Sequence, residues 1–316
     1  MRRVRSCPSQ VRLHGAALLL LIAMLAVMLS FALIGAYGSQ RNPAKQAEVT
    51  AQALAQARLS LIAWSLSQKA TGYNKSRPGE LPCPDLHTPG DENAGWPAST
   101  SDDTCNTQAR RIGRLPWNTL GLPKLVDGSG ETLWYMVLSP FHDSNTAALN
   151  SSTPRPYSLR AYANSGSVAY PAAIAIIFAP GSVLAGQSRN TPSQQLAPAN
   201  YLERYGSYNN ASTNPATLRL NGPLADASGK SLVNDQLVII TAADLLPKVL
   251  QRAVVEYPVA LKQKFPVPPY PNAQEGSCSG TPPNAEMYGM DSNWMNRNDW
   301  ETLLHYDCAS MSIQKK

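Results

Sequence analysis

Acid–base work at neutral pH would fall first to imidazole, and the chain has four histidines: His14, His87, His142 and His305. Two have an acid close by, in His142-Asp143 and His305-Tyr306-Asp307. Adjacent side chains point apart in a strand or a helix, so His142-Asp143 is not a dyad by itself. The motifs that declare a chemistry outright do not occur: there is no Gly-x-Ser-x-Gly elbow, no His-Glu-x-x-His and no phosphate loop. Carboxylate pairs for glycoside chemistry cannot be recognised without a fold. No catalytic residue is therefore assigned, no enzyme is expected, and no cofactor is implied.

The cysteines carry a clearer message. Cys7 precedes a long apolar run, whereas Cys83, Cys105, Cys278 and Cys308 follow it as an even set. In an oxidising compartment four cysteines predict two disulfides. Sequence proximity favours Cys83–Cys105 and Cys278–Cys308, although four cysteines allow three pairings, and loops of these lengths contribute about 3–4 kcal/mol each in the chain-entropy model. Zinc is the rival, but no Cys-x-x-Cys pair is present and His87 stands alone near Cys83, so no metal site is predicted. Asp91, Glu92, Asn93, Asp102 and Asp103 crowd the first cysteine loop. They lack the alternating acids and bidentate glutamate of a calcium loop and read as a solvated acidic loop.

The compartment is decided by the amino terminus. Ala16 to Tyr37 is 22 residues without a charge, long enough as a helix to cross a hydrocarbon core of roughly 30 Å. Arg2, Arg3, Arg5 and Arg12 flank it on one side, with only Arg41 and Lys45 soon after it. The positive-inside rule therefore keeps the amino terminus in the cytoplasm and exports the rest. The same arginines explain the formal net charge of +6. Taking those four from 27 basic residues leaves 23 against 21 acids, so the body is nearly neutral and no nucleic-acid partner is expected. A cleaved secretory signal has an apolar core of about 7–15 residues, shorter than this one, though Ala36-Tyr37-Gly38 is a passable cleavage site. A plain signal anchor is the other alternative.

Arg12-Leu13-His14-Gly15-Ala16-Ala17-Leu18-Leu19 resembles the junction of type IV prepilin-like proteins, in which a short basic leader ends in glycine. The resemblance implies a prepilin peptidase that cuts between Gly15 and Ala16 on the cytoplasmic side, followed by methylation of Ala16. The family's usual fifth mature residue is glutamate, and Leu20 stands there. In that respect the chain is similar to minor subunits, including the largest pseudopilin of type II secretion, which lack the glutamate and are placed at filament tips. Some related pseudopilins bind calcium.

Behind the membrane segment, Ala44 to Lys69 has no proline or glycine and is rich in helix formers. Ala47, Ala51, Leu54, Ala57, Leu61 and Trp64 recur at steps of three and four and predict a core-facing stripe. Leu59 and Leu66 fall outside it, which predicts burial on more than one side of the later half. From Ser76 the chain turns to short apolar runs punctuated by Pro, Gly, Asn and Ser. The order Leu81-Pro82-Cys83-Pro84, cysteine loop, Leu115-Pro116-Trp117 and Leu133-Trp134-Tyr135 resembles the head of large pilin-like proteins of Gram-negative bacteria.

Residues 131–137, 172–179 and 237–241 are predicted strands, the last two buried on both faces. Residues 184–231 are polar and predict long loops ordered only against a partner. Thr241 and Asp244 form a capping box that starts a helix carrying Leu246, Val249, Leu250, Ala253, Val254, Tyr257 and Leu261; Pro258 should kink or end it. Phe265 to Pro271 predicts an extended polyproline connector. In residues 291–308, Trp300, Leu303 and Leu304 fit one helix face that closes the core.

The expected fold is α+β, a long transmembrane-plus-amphipathic helix packed on a mainly antiparallel sheet with disulfide-stapled loops. Residues 1–15 are a cytoplasmic basic leader, 16–37 a transmembrane helix, 38–75 an amphipathic stalk and 76–316 an exported head. The expected role is that of a pilin-like or pseudopilin-like structural subunit, a minor or tip component of a type IV pilus or type II secretion assembly. Its partners would be the inner membrane, the prepilin peptidase and other such subunits. The alternative is a signal-anchored envelope enzyme or carbohydrate-binding module.

Overall fold

In the computed structural model, residues 42–68, 77–97, 105–143, 147–154, 159–163, 166–284 and 294–316 are described. The apolar run 16–37, Gly15 and Ala16 lie outside them. Among the described residues no helix is long and apolar enough to cross a membrane. Ala47–Lys316 make up one compact unit, and the start of the first helix, up to Gln46, falls in the other.

Helix α1, Pro43–Ser67, begins where Asn42 Oδ1 accepts the Ala44 amide at 3.0 Å, with proline at the first helical position. Five strands follow: β1 Ile112–Arg114, β2 Trp134–Val137, β3 Leu159–Ala163, β4 Gly166–Tyr170 and β5 Ala173–Ala179. A short helix α2, Pro192–Leu196, leads into two-residue strands β6 Arg204–Tyr205, β7 Tyr208–Asn209, β8 Arg219–Leu220 and β9 Leu224–Ala225. Next come β10 Ser231–Val233, β11 Gln236–Thr241 and the long helix α3, Ala242–Lys264. The chain closes with β12 Ser279–Gly280, α4 Trp294–Arg297, β13 Leu304–Asp307 and β14 Ser312–Lys315.

The fold is α+β. Its central sheet has the order β1-β2-β5-β11, antiparallel throughout. Every residue of β5 is buried, as expected of an apolar run covered on both faces. Side-chain alternation divides the interior in two. Tyr135, Val137, Ile177, Ala179 and Ile240 face a main core shared with α1, α3 and the carboxy-terminal block. Trp134, Met136, Ile176, Phe178, Leu237 and Ile239 face a second core with Leu159, Ala161, Tyr201 and Leu202. β11 is the edge, so its burial alternates and only part of it is enclosed.

Several expectations are corrected. The core face of α1 is Thr50, Ala53, Leu54, Ala57, Leu61, Ile62 and Ser65; Ala47, Ala51 and Leu59 are exposed and Trp64 half-buried. The rotation follows from two buried hydroxyls, Thr50 Oγ1 accepting the Gly128 amide at 3.0 Å and Ser65 Oγ the Gly79 amide at 3.2 Å. Pro258 lies inside α3, which runs on to Lys264. Residues 267–269 bend, so the proline run is not a continuous polyproline helix. Trp300 and Leu303 lie in a 3₁₀ turn and Leu304 begins β13, so they do not share one helix. Trp294, Trp300, Leu304 and Tyr306 do close the main core.

Residues 184–231 are the largest departure. They are ordered within this chain, through short hairpins, a capping box at Thr191–Gln194 and buried polar side chains.

Candidate functional site

Two disulfides are present, Cys83–Cys105 and Cys278–Cys308, the pairing that proximity favours. The second joins the start of β12 to the end of β13, where the Cys308 amide donates to Cys278 O at 2.8 Å. It closes the small sheet β12-β13-β14 onto the main core.

The first disulfide lies at the centre of a cluster of titratable groups. Leu81 donates its amide to Phe141 O at 2.7 Å and accepts from Asp143 at 2.9 Å, so the cysteine block and residues 141–143 run side by side. This places Asp143 Oδ1 2.9 Å from Cys83 Sγ. Cys83, Cys105 and Asp143 bring potential ligand atoms within 4.8 Å of one another, but both sulfurs are committed to the disulfide, so this is not a thiolate metal site. Burial raises Asp143 to about 7 against the backbone donors around it. Burial likewise raises Glu80 to about 7, against its ion pair with Arg77 at 2.6 Å. His142 is lowered to about 4 by burial and the nearby charge of Arg111. Tyr135 is raised by burial and by Asp143. Asp143 thus belongs with Cys83, and His142 with Arg111.

The remaining predicted groups have separate partners. His87 Nδ1 lies 2.9 Å from Asp85 Oδ1, and Asp85 Oδ2 accepts the Gly95 amide at 2.7 Å. Gly95 is required there, because a Cβ would come within 2.4 Å of the Trp117 ring. Asp91 Oδ1 accepts the Asn93 amide at 2.8 Å in an exposed turn, while Asp102 and Asp103 lie outside the described residues. His305 Nε2 lies 3.1 Å from Ser279 Oγ across β12 and β13.

A second cluster holds residues 184–235 together, and the sequence reading missed it. Asp235 is fully enclosed; its Oδ2 accepts the Glu203 amide at 2.7 Å and Asn210 Nδ2 at 2.8 Å. Glu203 Oε2 accepts the amides of Asn234 and Asp235, each at 3.0 Å, and its Oε1 accepts Gln187 Nε2 at 2.8 Å. Burial and the neighbouring Glu203 charge push Asp235 well above the ordinary carboxyl range. Its Oδ1 meets no donor, which is the position of a carboxylic acid's own O–H beside a carboxylate.

Arg219, fully buried, donates to the carbonyls of Asn209, Asn210 and Asn214 at 2.7, 3.0 and 3.0 Å, and burial lowers it to about 10. Arg189 lies 4.2 Å from the centre of the Tyr201 ring and pairs with Glu131 at 2.7 Å. Glu203 and Asp235 are 32 residues apart in chain order, and no spacing rule links them.

A groove of about 580 Å³ runs between α1 and the sheet edge, lined by Leu54, Arg58 and Leu59 on one side and Gln236, Leu237 and Val238 on the other. Arg58 is anchored to Asp244 at 2.7 Å. Asp244 is partly buried, which pushes it upward, but hydrogen bonds from Thr241 and the Arg58 charge hold it below its usual range. Asn221 Oδ1 caps the outward Leu237 amide at 3.0 Å.

Compared with known proteins, the chain matches no family model, no curated protein and no solved structure.

Proposed function

We propose that this chain is a membrane-anchored pilin-like or pseudopilin-like structural subunit, a minor or tip component of a type IV pilus or type II secretion assembly. The observation that carries the reading is the course of α1. The helix begins at Pro43, six residues beyond the apolar run that ends at Tyr37, and its first two turns up to Val49 are exposed or half-exposed. From Thr50 onward it packs into the main core beneath a four-stranded antiparallel sheet. An apolar run followed in the sequence by a helix whose far half docks on such a sheet is the layout that the junction at Gly15 implies.

In this reading residues 16–37 hold the subunit in the inner membrane with its amino terminus in the cytoplasm. The prepilin peptidase cuts between Gly15 and Ala16, and residues 76–316 form the periplasmic head. The mechanism is mechanical: neighbouring subunits extract the apolar helix as they pack against it. The size of the head suits a tip or initiating position better than a repeating shaft.

Mass spectrometry of the protein purified from membranes tests this. The mature chain should begin at Ala16 and carry one methyl group, and Gly15→Leu should leave the leader attached. An intact Met1, or a start at Ser39, refutes the proposal.

A further inference from the structure

One face of the β3-β4 hairpin is turned to solvent. Along β3, Leu159 and Ala161 are buried in the second core while Arg160 and Tyr162 point the other way. Ala169 and Ser167 stand opposite them on β4, both exposed. Tyr208 of β7 lies beside Tyr162, with ring centroids 5.5 Å apart and planes tilted by 38°. Tyr205 pairs directly with Tyr208 across the hairpin, which places both on one hairpin face. Tyr162 and Tyr205 are 40% and 46% exposed. The result is a row of three tyrosines with Arg160 beside it and, among the described residues of β3 and β4, no carboxylate.

Tyrosine presents an apolar ring and a polar tip together, which suits a ligand whose own surface alternates C–H faces with hydroxyl rims. Pyranose sugars have that character. The ligand's charge follows from Arg160, an exposed cation with no acid opposite it. A run of phosphates needs a track of several cations; here Arg204, the cation next to Tyr205, alternates to the opposite hairpin face. A protein partner of ordinary size would need about 20–30 residues a side and a desolvated anchor pocket, whereas this face is a flat row of six residues. We propose that the row of Tyr205, Tyr208 and Tyr162 with Arg160 binds an acidic polysaccharide, the rings stacking on successive sugars and the guanidinium pairing with a carboxylate. The site belongs to the folded head and stands whether or not the chain joins a filament.

Isothermal titration of the full-length protein in detergent with polygalacturonate, neutral dextran and oligothymidylate tests it. Polygalacturonate should bind, weakening with salt, and dextran should bind at least about tenfold more weakly, as expected if the guanidinium–carboxylate pair contributes. Tyr162→Ala with Tyr208→Ala should weaken polygalacturonate binding about tenfold, the sum of two modest stacking contacts, and Tyr162→Phe should leave it within about twofold, because stacking uses the ring. Tyr205→Ala, at the exposed hairpin tip, gives a further check if the double variant loses its melting transition. No binding of polygalacturonate overturns the proposal. So does unaltered binding by the folded variants, or tighter binding of oligothymidylate.

Discussion

Replacing Asp235 by asparagine should make the protein more stable than wild type at neutral pH, and by more as the pH rises. Asparagine has the shape of the protonated acid. Its carbonyl can keep the two bonds now made by Oδ2, from the Glu203 amide at 2.7 Å and Asn210 Nδ2 at 2.8 Å. Its amide nitrogen takes the place of Oδ1, which meets no donor, and can donate toward Glu203. Burial and the Glu203 charge raise Asp235 in the folded protein, so the native state holds a proton there that the unfolded chain releases above about pH 4. A raised carboxyl leaves stability complete below the unfolded value and erodes it as pH climbs toward the folded one.

The slope for one proton is at most about 1.4 kcal/mol per pH unit. Between pH 5 and pH 7 the variant should therefore gain on the wild type, by at most about 3 kcal/mol, or roughly 5 °C in melting temperature for a chain of this size. Glu80 and Asp143, also raised by burial, are common to both proteins and cancel in the difference; Glu203, itself raised by burial and titrating together with Asp235, does not, so the slope is that of the pair. Asp235→Ala should fail at every pH, because two buried donors lose an acceptor at about 1–3 kcal/mol each. Thermal unfolding followed by tryptophan fluorescence at pH 5, 6 and 7 measures all three proteins. A constant offset between wild type and Asp235→Asn across that range, or an asparagine variant as unstable as the alanine one, refutes the reasoning.

Two further perturbations address the helix and the carboxy-terminal staple. Leu61 of α1 is completely buried in the main core, so Leu61→Ala should lower stability by about 2–5 kcal/mol in denaturant unfolding; Leu59→Ala, on the 62% exposed neighbour, should stay within about 0.5 kcal/mol. Opening Cys278–Cys308 by replacing both cysteines with serine removes a crosslink over a sequence separation of 30 and should cost about 3.5 kcal/mol in the chain-entropy model, read as a lowered melting temperature with non-reducing peptide mapping as the control.

What the sequence reveals of this fold follows the kind of interaction that builds each part. α3 is legible because Thr241 and Asp244 cap it and its apolar residues recur at helical spacing; Val249, Ala253, Tyr257 and Leu261 are all fully buried. The same pattern explains why Pro258 fails as a breaker. An interior proline costs about 3 kcal/mol, and the burial of Tyr257 and Leu261 on either side contributes about 1.5–3 kcal/mol each, enough to hold the helix through it. The α1 stripe holds at Leu54, Ala57 and Leu61 but not at Ala47 and Ala51, because alanine, serine and threonine carry little hydrophobic signal. The choice among them is made by loop amides at Gly128 and Gly79 that seek Thr50 and Ser65, and no periodicity contains those partners.

Residues 184–235 take this furthest. A polar, turn-rich stretch reads as solvated because charged residues are seldom enclosed, yet Arg219 and Asp235 are fully buried and Glu203 nearly so. Arg219 is satisfied by carbonyls of the turn before it, and Glu203 and Asp235 by backbone amides in each other's segments, 31–32 residues away, and backbone groups are identical in every residue type. Their order is therefore invisible until the fold brings them together. The second core and the tyrosine-bearing sheet face rest on that hidden polar scaffold, so loss of the Asp235 proton should loosen the region least legible in the sequence before it affects α1 or the central sheet.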